Sequence, residues 1–393
     1  MQRLLVLAVG LAIPIAGHFV ASASSHDSIS ALPVHTSEPI QYPAATQAAS
    51  RVGAYRAPGS IEARRGFLRG CGSYLTRSHA LFRYAASGTH AGGLDRLDRG
   101  WRRPTHPAGV VAVRRALAGR PYGVAAARNG TTYVALIGTS SLLRGDLKSS
   151  DFSAPVNVGS TPPHVVINPA GTLAYATLQT GRGVAVVDVA ANALLAIVPL
   201  TSDGFNLALT PTGERVYATT AAGTLYVLDA ASYEVLDTLN VGPAANGLAF
   251  SPDGCTLYVT SRDAGTVTAV STVSHTITRT YDIGGMPQRI AVAPDGSEIY
   301  IANEQDGLNV VDVESGTVTS ISFGTAAYGL GLTPDAKQLY VLLPRAGEVR
   351  ILNRATRAAI KTLVVGGTPR NVTFDPRGTT ALVTTEEAVV FIR

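Results

Sequence analysis

A tight turn recurs seven times through the last three quarters of the chain. The residues that could do chemistry stand at a fixed distance from it. Five positions before the turn's proline lie His164, Asn206, Gly247, Arg289, Gly329 and Asn371, with Gly123 as the counterpart in the first copy. Tyr328 and Arg370 flank this set, and Arg345 lies in a following loop. Guanidinium groups beside amides and a phenol form a set rich in hydrogen-bond donors, and arginine pairs well with a carboxylate or a phosphate. The candidate ligand-binding residues are therefore His164, Asn206, Arg289, Tyr328, Arg345, Arg370 and Asn371. An ordinary solvated rim is the other reading. In it these cations pair with loop acids such as Asp263, Glu304, Asp306, Glu386 and Glu387.

Catalysis has less to build on. His164, Asn206 and Asn371 supply the ring's only potential cation ligands, with Asp375 near the far end of the same strand. A hard divalent cation takes six to eight oxygen ligands, several of them charged. No metal or other cofactor is predicted, and no catalytic residue is assigned. His164 reads more simply as a hydrogen-bonded lining residue. The nucleophile-elbow, zincin, Walker and haem-attachment patterns are absent, and so is a CxxC pair.

The elements that position these residues follow from the turn itself. Pro252-Asp-Gly254 precedes Tyr258, Pro294-Asp-Gly296 precedes Tyr300, and Pro334-Asp-Ala336 precedes Tyr340. Pro169-Ala-Gly171 and Pro211-Thr-Gly213 precede Tyr175 and Tyr217; Asn129-Gly130 and Pro376-Arg-Gly378 are the weakest copies. The third turn positions are spaced by 41, 42, 41, 42, 40 and 42 residues, an evenness that means stacked supersecondary units. A second marker keeps the same step: Val186-Val-Asp188, Val227-Leu-Asp229, Ala269-Val-Ser271, Val310-Val-Asp312 and Ile351-Leu-Asn353. Its terminal polar side chain suits a hydrogen bond to the backbone of the next turn.

Each unit reads as four short strands. In the fourth they are Gly247–Ser251, Thr256–Thr260, Val267–Ser271 and Thr276–Ile283, all alternating and β-branched. The recurring tyrosine is expected to pack between neighbouring sheets. A four-stranded sheet of this size cannot cover both its faces, so it must stack against its neighbours, and closing the stack into a ring removes the exposed ends. The seventh unit begins at Asn371 but stops at Arg393, before its fourth strand. An unassigned strand, Gly109–Ala118, precedes the first unit and is predicted to complete the last sheet. The fold class is thus all-β: a seven-bladed β-propeller over 109–393, four antiparallel strands per blade, the last blade closed by the N-terminal strand. An open array or a six-bladed ring with a spare hairpin is the alternative. The first blade departs most, because its third strand must lie in the polar stretch Ser141–Phe152, where Arg144-Gly-Asp-Leu-Lys148 has the look of an insertion.

Ahead of the repeats the character differs. Met1–Arg3, the apolar run Leu4–Ile15 and Ala21-Ser-Ala23 make a predicted signal peptide over 1–23, cleaved near Ala23, with an uncleaved anchor as the alternative. Residues 24–108 read as a low-complexity, arginine-rich, disordered linker. Residues 51–120 hold fourteen arginines and no lysine against Glu62, Asp95 and Asp98, whereas 121–393 hold 17 basic and 22 acidic residues. The net charge of +5 therefore belongs to the leading segment, and the propeller itself is not expected to bind nucleic acid. Whether Cys71 and Cys255 pair is not decided by their positions.

Ser251-Pro-Asp-Gly-Cys-Thr-Leu-Tyr-Val-Thr260 and Ala293-Pro-Asp-Gly-Ser-Glu-Ile-Tyr-Ile-Ala-Asn303 resemble the repeats of YVTN-family β-propellers, as does Val364-Val-Gly-Gly-Thr-Pro-Arg370. The resemblance covers about 119–393. It implies a WD40-like fold without the WD dipeptide and an exported, secreted or periplasmic protein. It implies little about function, since propellers host many activities. The leading expectation is a monomeric, non-catalytic binding or scaffold module for a protein, peptide or cell-envelope partner. The resemblance leaves two others open: a metal-dependent lactonase or lyase, and a propeller subunit of a periplasmic quinoprotein-type redox complex.

Overall fold

The computed structural model describes residues 106–393. The predicted signal peptide, all but the last three residues of the predicted linker, and Cys71 lie outside the described residues. Cys255 is disulfide-bonded. No helix among the described residues is long and apolar enough to cross a membrane.

Among the described residues, twenty-eight short strands form seven antiparallel sheets of four. Blade one runs from Pro121 to Asn157, blade two from His164 to Pro199, and blade three from Gly204 to Asn240. Blades four, five and six span Ala245–Asp282, Pro287–Ile321 and Gly329–Val364. Blade seven combines Pro369–Phe374, Ala381–Thr385 and Ala388–Ile392 with an outer strand from the beginning of the domain, Val111–Ala116. That strand pairs antiparallel with Ala388–Ile392, Arg114 opposite Val390. Val110 and Arg393 exchange both backbone hydrogen bonds beyond it, at 2.8 and 2.9 Å. The chain is fixed one step earlier still: the His106 ring nitrogen Nδ1 lies 2.7 Å from Asp335 Oδ2 on the first turn of blade six. The end of the predicted linker is therefore docked on the propeller.

The core is divided as the stacking argument requires. Seven apolar clusters lie one at each blade interface, among them the cluster that joins Val124, Val134 and Leu143 of blade one to Leu382, Val389 and Phe391 of blade seven. No interface is missing, so the ring is closed. The repeated tyrosine is buried in these clusters, and in blades one and two its hydroxyl reaches the next blade. Tyr133 donates to Asn192 at 2.8 Å and Tyr175 to the Ala230 carbonyl at 2.8 Å.

The second marker does what its residue types suggest. Asp229 Oδ1 accepts from the Ala231 and Ser232 amides at 2.9 Å each, and Asp188, Ser271, Asp312 and Asn353 close the equivalent turns. Blade one corrects the expectation of an insertion. Ser141–Asp146 is a regular third strand, and Asp146 Oδ1 accepts from the Lys148 and Ser149 amides at 2.8 and 3.0 Å. Asp146 is the same marker, masked in the sequence by the unusual Arg144-Gly145 before it. Gly254 and Gly296 close their first turns at φ +72° and +74°, backbone open to glycine at no steric cost.

Candidate functional site

The inner strands start at one end of the ring, where the loops between second and third strands also emerge. Together they enclose a funnel of about 500 Å³. Its wall is a ring at which every blade contributes the residue six positions before the turn proline or its equivalent: Tyr122, Pro163, Phe205, Asn246, Gln288, Tyr328 and Arg370. Strict strand alternation places this ring between sheets. The structure shows why it faces the mouth instead. In blades one, three, four, five and seven the register between first and second strands shifts at this point, as between Pro287 and Ile290. Such a bulge places two residues against one on the partner strand and re-aims a side chain.

A repeated threonine secures the bulge. Thr260 Oγ1 accepts from the Gly247 amide of its own blade at 2.7 Å and donates to the Gln288 carbonyl of the next at 2.8 Å. Thr219 does the same between the Asn206 amide and the Asn246 carbonyl, and Thr384 between the Asn371 amide and the Tyr122 carbonyl. Thr177 donates to the Phe205 carbonyl at 3.2 Å. The bulge frees an N–H from the ladder, and a buried N–H must find another partner. In blades three, four and seven the threonine two residues after Tyr217, Tyr258 or Leu382 supplies it, and there, as in blade two, the threonine also fixes the mouth residue of the following blade.

Most charges at the mouth are paired. Arg370 donates to Glu386 Oε1 through Nε and Nη2 at 3.0 and 2.7 Å, and Arg120 holds the other carboxylate oxygen at 2.8 Å. Burial alone would raise Glu386, but these two arginines hold its carboxyl below the usual range. The Arg370 guanidinium also lies over the rings of Tyr328 and Tyr122, 5.0 and 5.6 Å from their centroids. Those phenols share a 2.5 Å hydrogen bond, and burial, then the Tyr328 partner, pushes Tyr122 far above its ordinary value. Across the funnel, Arg262 holds Asp263 and Glu304 at 2.9 and 3.1 Å. Gln288 donates to Glu304 at 2.7 Å and accepts from Asn246 at 2.5 Å. Arg345 is exposed in an adjoining recess with Glu304 and Arg370.

The predicted five-before ring lies one step deeper, and it is mostly buried. Gly123, Gly247 and Gly329 let neighbouring inner strands approach closely: a Cβ at Gly247 would sit 2.3 Å from the Gln288 carbonyl oxygen. Asn206 Oδ1 is used by the Leu207 amide at 2.8 Å. The other three polar members are not satisfied. His164 Nδ1, Arg289 Nε and Asn371 Nδ2 are buried without a hydrogen-bond partner among the described residues. Burial, then the Arg289 charge, holds His164 well below its ordinary value, so it is neutral at pH 7. Arg289 lies within electrostatic reach of His164 and also of Tyr122. Those residues belong to blades two and one, and Arg289 of blade five lines the same funnel as Tyr122.

The structure thus brings Arg289, Tyr328 and Arg370 into the funnel wall, His164 and Asn371 just beneath it, Asn206 into a backbone contact, and Arg345 into the adjoining recess. Glu304 and Asp263 belong to the mouth as well, whereas Asp306 closes a loop by accepting from the Phe323 and Thr325 amides. Sequence reasoning missed Tyr122, Phe205, Asn246 and Gln288. The six aligned turn prolines and the Asn129-Gly130 turn could have located them, one step before the chosen ring, but the bulge leaves no sequence signature of its own. Among the described residues no group of three or more His, Cys, Asp or Glu side chains is placed to hold a metal ion.

Fold and mouth together define a closed seven-bladed propeller with a polar funnel at one end. No family model matches the sequence, and no curated protein matches it. Solved structures of similar fold are numerous. One is a chain of Kuenenia stuttgartiensis Hydrazine Synthase, with a TM-score of 0.65 and 16% identity over 75% of this chain and 99% of that one. At that identity the likeness shows the fold alone.

Proposed function

We propose that the protein is an exported, non-catalytic binding propeller of the YVTN type, acting as a monomer outside the cytoplasm. Its funnel recognises a polar, acidic part of a protein, peptide or cell-envelope ligand. One observation carries the reading. Arg289 is 8% exposed and makes no ion pair among the described residues, while the nearby carboxylates of Asp263, Glu304 and Glu386 are already held by other arginines. A buried charge without a counter-charge is costly and adds nothing to the fold. It is useful when a ligand brings the opposite charge.

Aromatic walls support the same reading. Tyr122, Tyr328 and Phe205 give broad contact area in a concave site with a few converging polar groups. The donor set lends no support to a cation-dependent lactonase, which would need clustered carboxylates around the channel.

Co-sedimentation of the full chain with isolated cell envelopes tests this function. The expected result is retention that falls at least tenfold in the Arg289→Met, Arg370→Ala double variant and weakens with salt. Equal retention of wild type and double variant removes the funnel from the function. N-terminal sequencing of exported protein tests the leader, with Ser24 expected as the first residue.

A further inference from the structure

We infer that the throat beneath the funnel is a carboxylate site, with Arg289 as its anchor and Asn371 and His164 beside it. The inference rests on the funnel being a ligand site and specifies what enters it. Five side-chain atoms among the described residues are buried without a partner, and three of them are nitrogens of this one ring. The remaining two, Gln338 Oε1 and Tyr340 Oη, lie at the turn end of blade six. Arg289 Nε and Asn371 Nδ2 are obligate donors, and both residues are more than nine-tenths buried. A site made of donors converging on a channel accepts an anion, not a cation.

Charge matching selects the class. Among the described residues, one funnel guanidinium lacks a carboxylate, and no lysine or second unpaired arginine lines the funnel. A singly charged planar carboxylate neutralises it and matches the guanidinium fork. A phosphate carrying close to two charges would leave one uncompensated in a buried throat. The closeness of the inner strands at Gly123, Gly247 and Gly329 keeps the throat narrow, so the group enters end-on. Two sources share this chemistry: a free small carboxylate, and a terminal or pendant carboxylate on a larger ligand lying across the aromatic mouth.

Calorimetric titration of the purified full chain distinguishes them. The probes are acetate, succinate, inorganic phosphate, sodium chloride, and one short peptide with a free or an amidated C-terminus. Saturable binding of acetate or succinate, weakened at least tenfold in Arg289→Met, is expected. A free-acid peptide that binds more tightly than acetate, competes with it and loses binding on amidation identifies the pendant source. Acetate binding alone identifies the free source. Asn371→Asp is the second variant: it adds an internal carboxylate to the throat while retaining Arg289, and is expected to abolish binding with the fold unchanged by circular dichroism. Phosphate or chloride binding as well as acetate, or either variant binding acetate like wild type, overturns the proposal. Absence of envelope retention by the wild-type chain with intact acetate binding would sink the proposed function but not this site; envelope retention without acetate binding would sink only the site.

Discussion

The two ends of the propeller use polar residues in opposite ways. At the turn end, Asp146, Asp188, Asp229, Ser271, Asp312 and Asn353 each accept backbone amides, and Asp229 also holds Arg215 at 2.6 Å. At the mouth end, the equally repeated inner-strand position carries His164, Arg289 and Asn371 with nitrogens that no atom of the described residues satisfies. Both ends derive from the same repeat, and both lie next to tight loops. One end directs its polar groups to the backbone, and the other leaves buried donors over the channel. An end that ignores its own hydrogen-bond requirements is one whose residue types were not set by folding alone.

The comparison assumes a closed ring, and removing its closure gives the largest effect. Deletion of residues 106–117 strips the outer strand from Ala388–Ile392, which is buried throughout. Loss of cooperative unfolding or aggregation through the bared edge is expected, read by thermal melts and light scattering. Next comes Asp229→Ala, which removes the acceptor of two turn amides and the carboxylate that pairs with half-buried Arg215. A loss of about 2 kcal/mol is expected by denaturant unfolding. Thr260→Val removes both the acceptor for the Gly247 amide and the donor to the Gln288 carbonyl, and a loss of about 1–2 kcal/mol is expected together with weaker funnel binding. If stability falls and binding does not, the threonine supports the core without positioning the mouth.

The smallest effect is in pH dependence, and its sign separates the two ends. His164 has a folded-state value below its unfolded one of about 6.5, so the unfolded chain takes up the proton first as pH falls. Its contribution to stability is full above about pH 6.5 and declines below it. Asp146, Asp229 and Asp312 are held below their ordinary value, Asp146 and Asp312 foremost by backbone amides and Asp229 by the same bonds against an opposing effect of burial. Their contribution is full above about pH 4 and is lost only below it. His164→Asn is therefore expected to flatten the stability profile between pH 6.5 and 5, and Asp229→Ala only below pH 4. A His164→Asn profile parallel to wild type over that first interval contradicts its buried neutral state.

Much of this fold is legible without coordinates because the cause of each feature is local. Evenly spaced proline turns fix the blades, and the spare strand read within Gly109–Ala118 is the one that pairs with Ala388–Ile392. The mouth is less legible for the same physical reason. Tyr122, Asn246 and Gln288 face the funnel because a bulge interrupts the two-residue period, and the bulge is held by a threonine of the preceding blade. A contact between blades about 40 residues apart has no marker in a single strand. Asp146 was hidden more simply, behind an atypical Arg144-Gly145. The pairing of Arg370 with Glu386 and of Arg262 with Glu304 also depends on which loop tips meet, and that pairing reveals Arg289 as the buried cation left over in the funnel.

Stability and ligand binding measured on one variant, Arg289→Met, test that contrast most directly. The prediction is a melting temperature equal to or above wild type, because an unpaired buried charge has been replaced by an apolar side chain of similar length, with envelope and acetate binding lost. A melting temperature several degrees lower with binding retained would make Arg289 a folding residue and place the two ends of the propeller under the same rule.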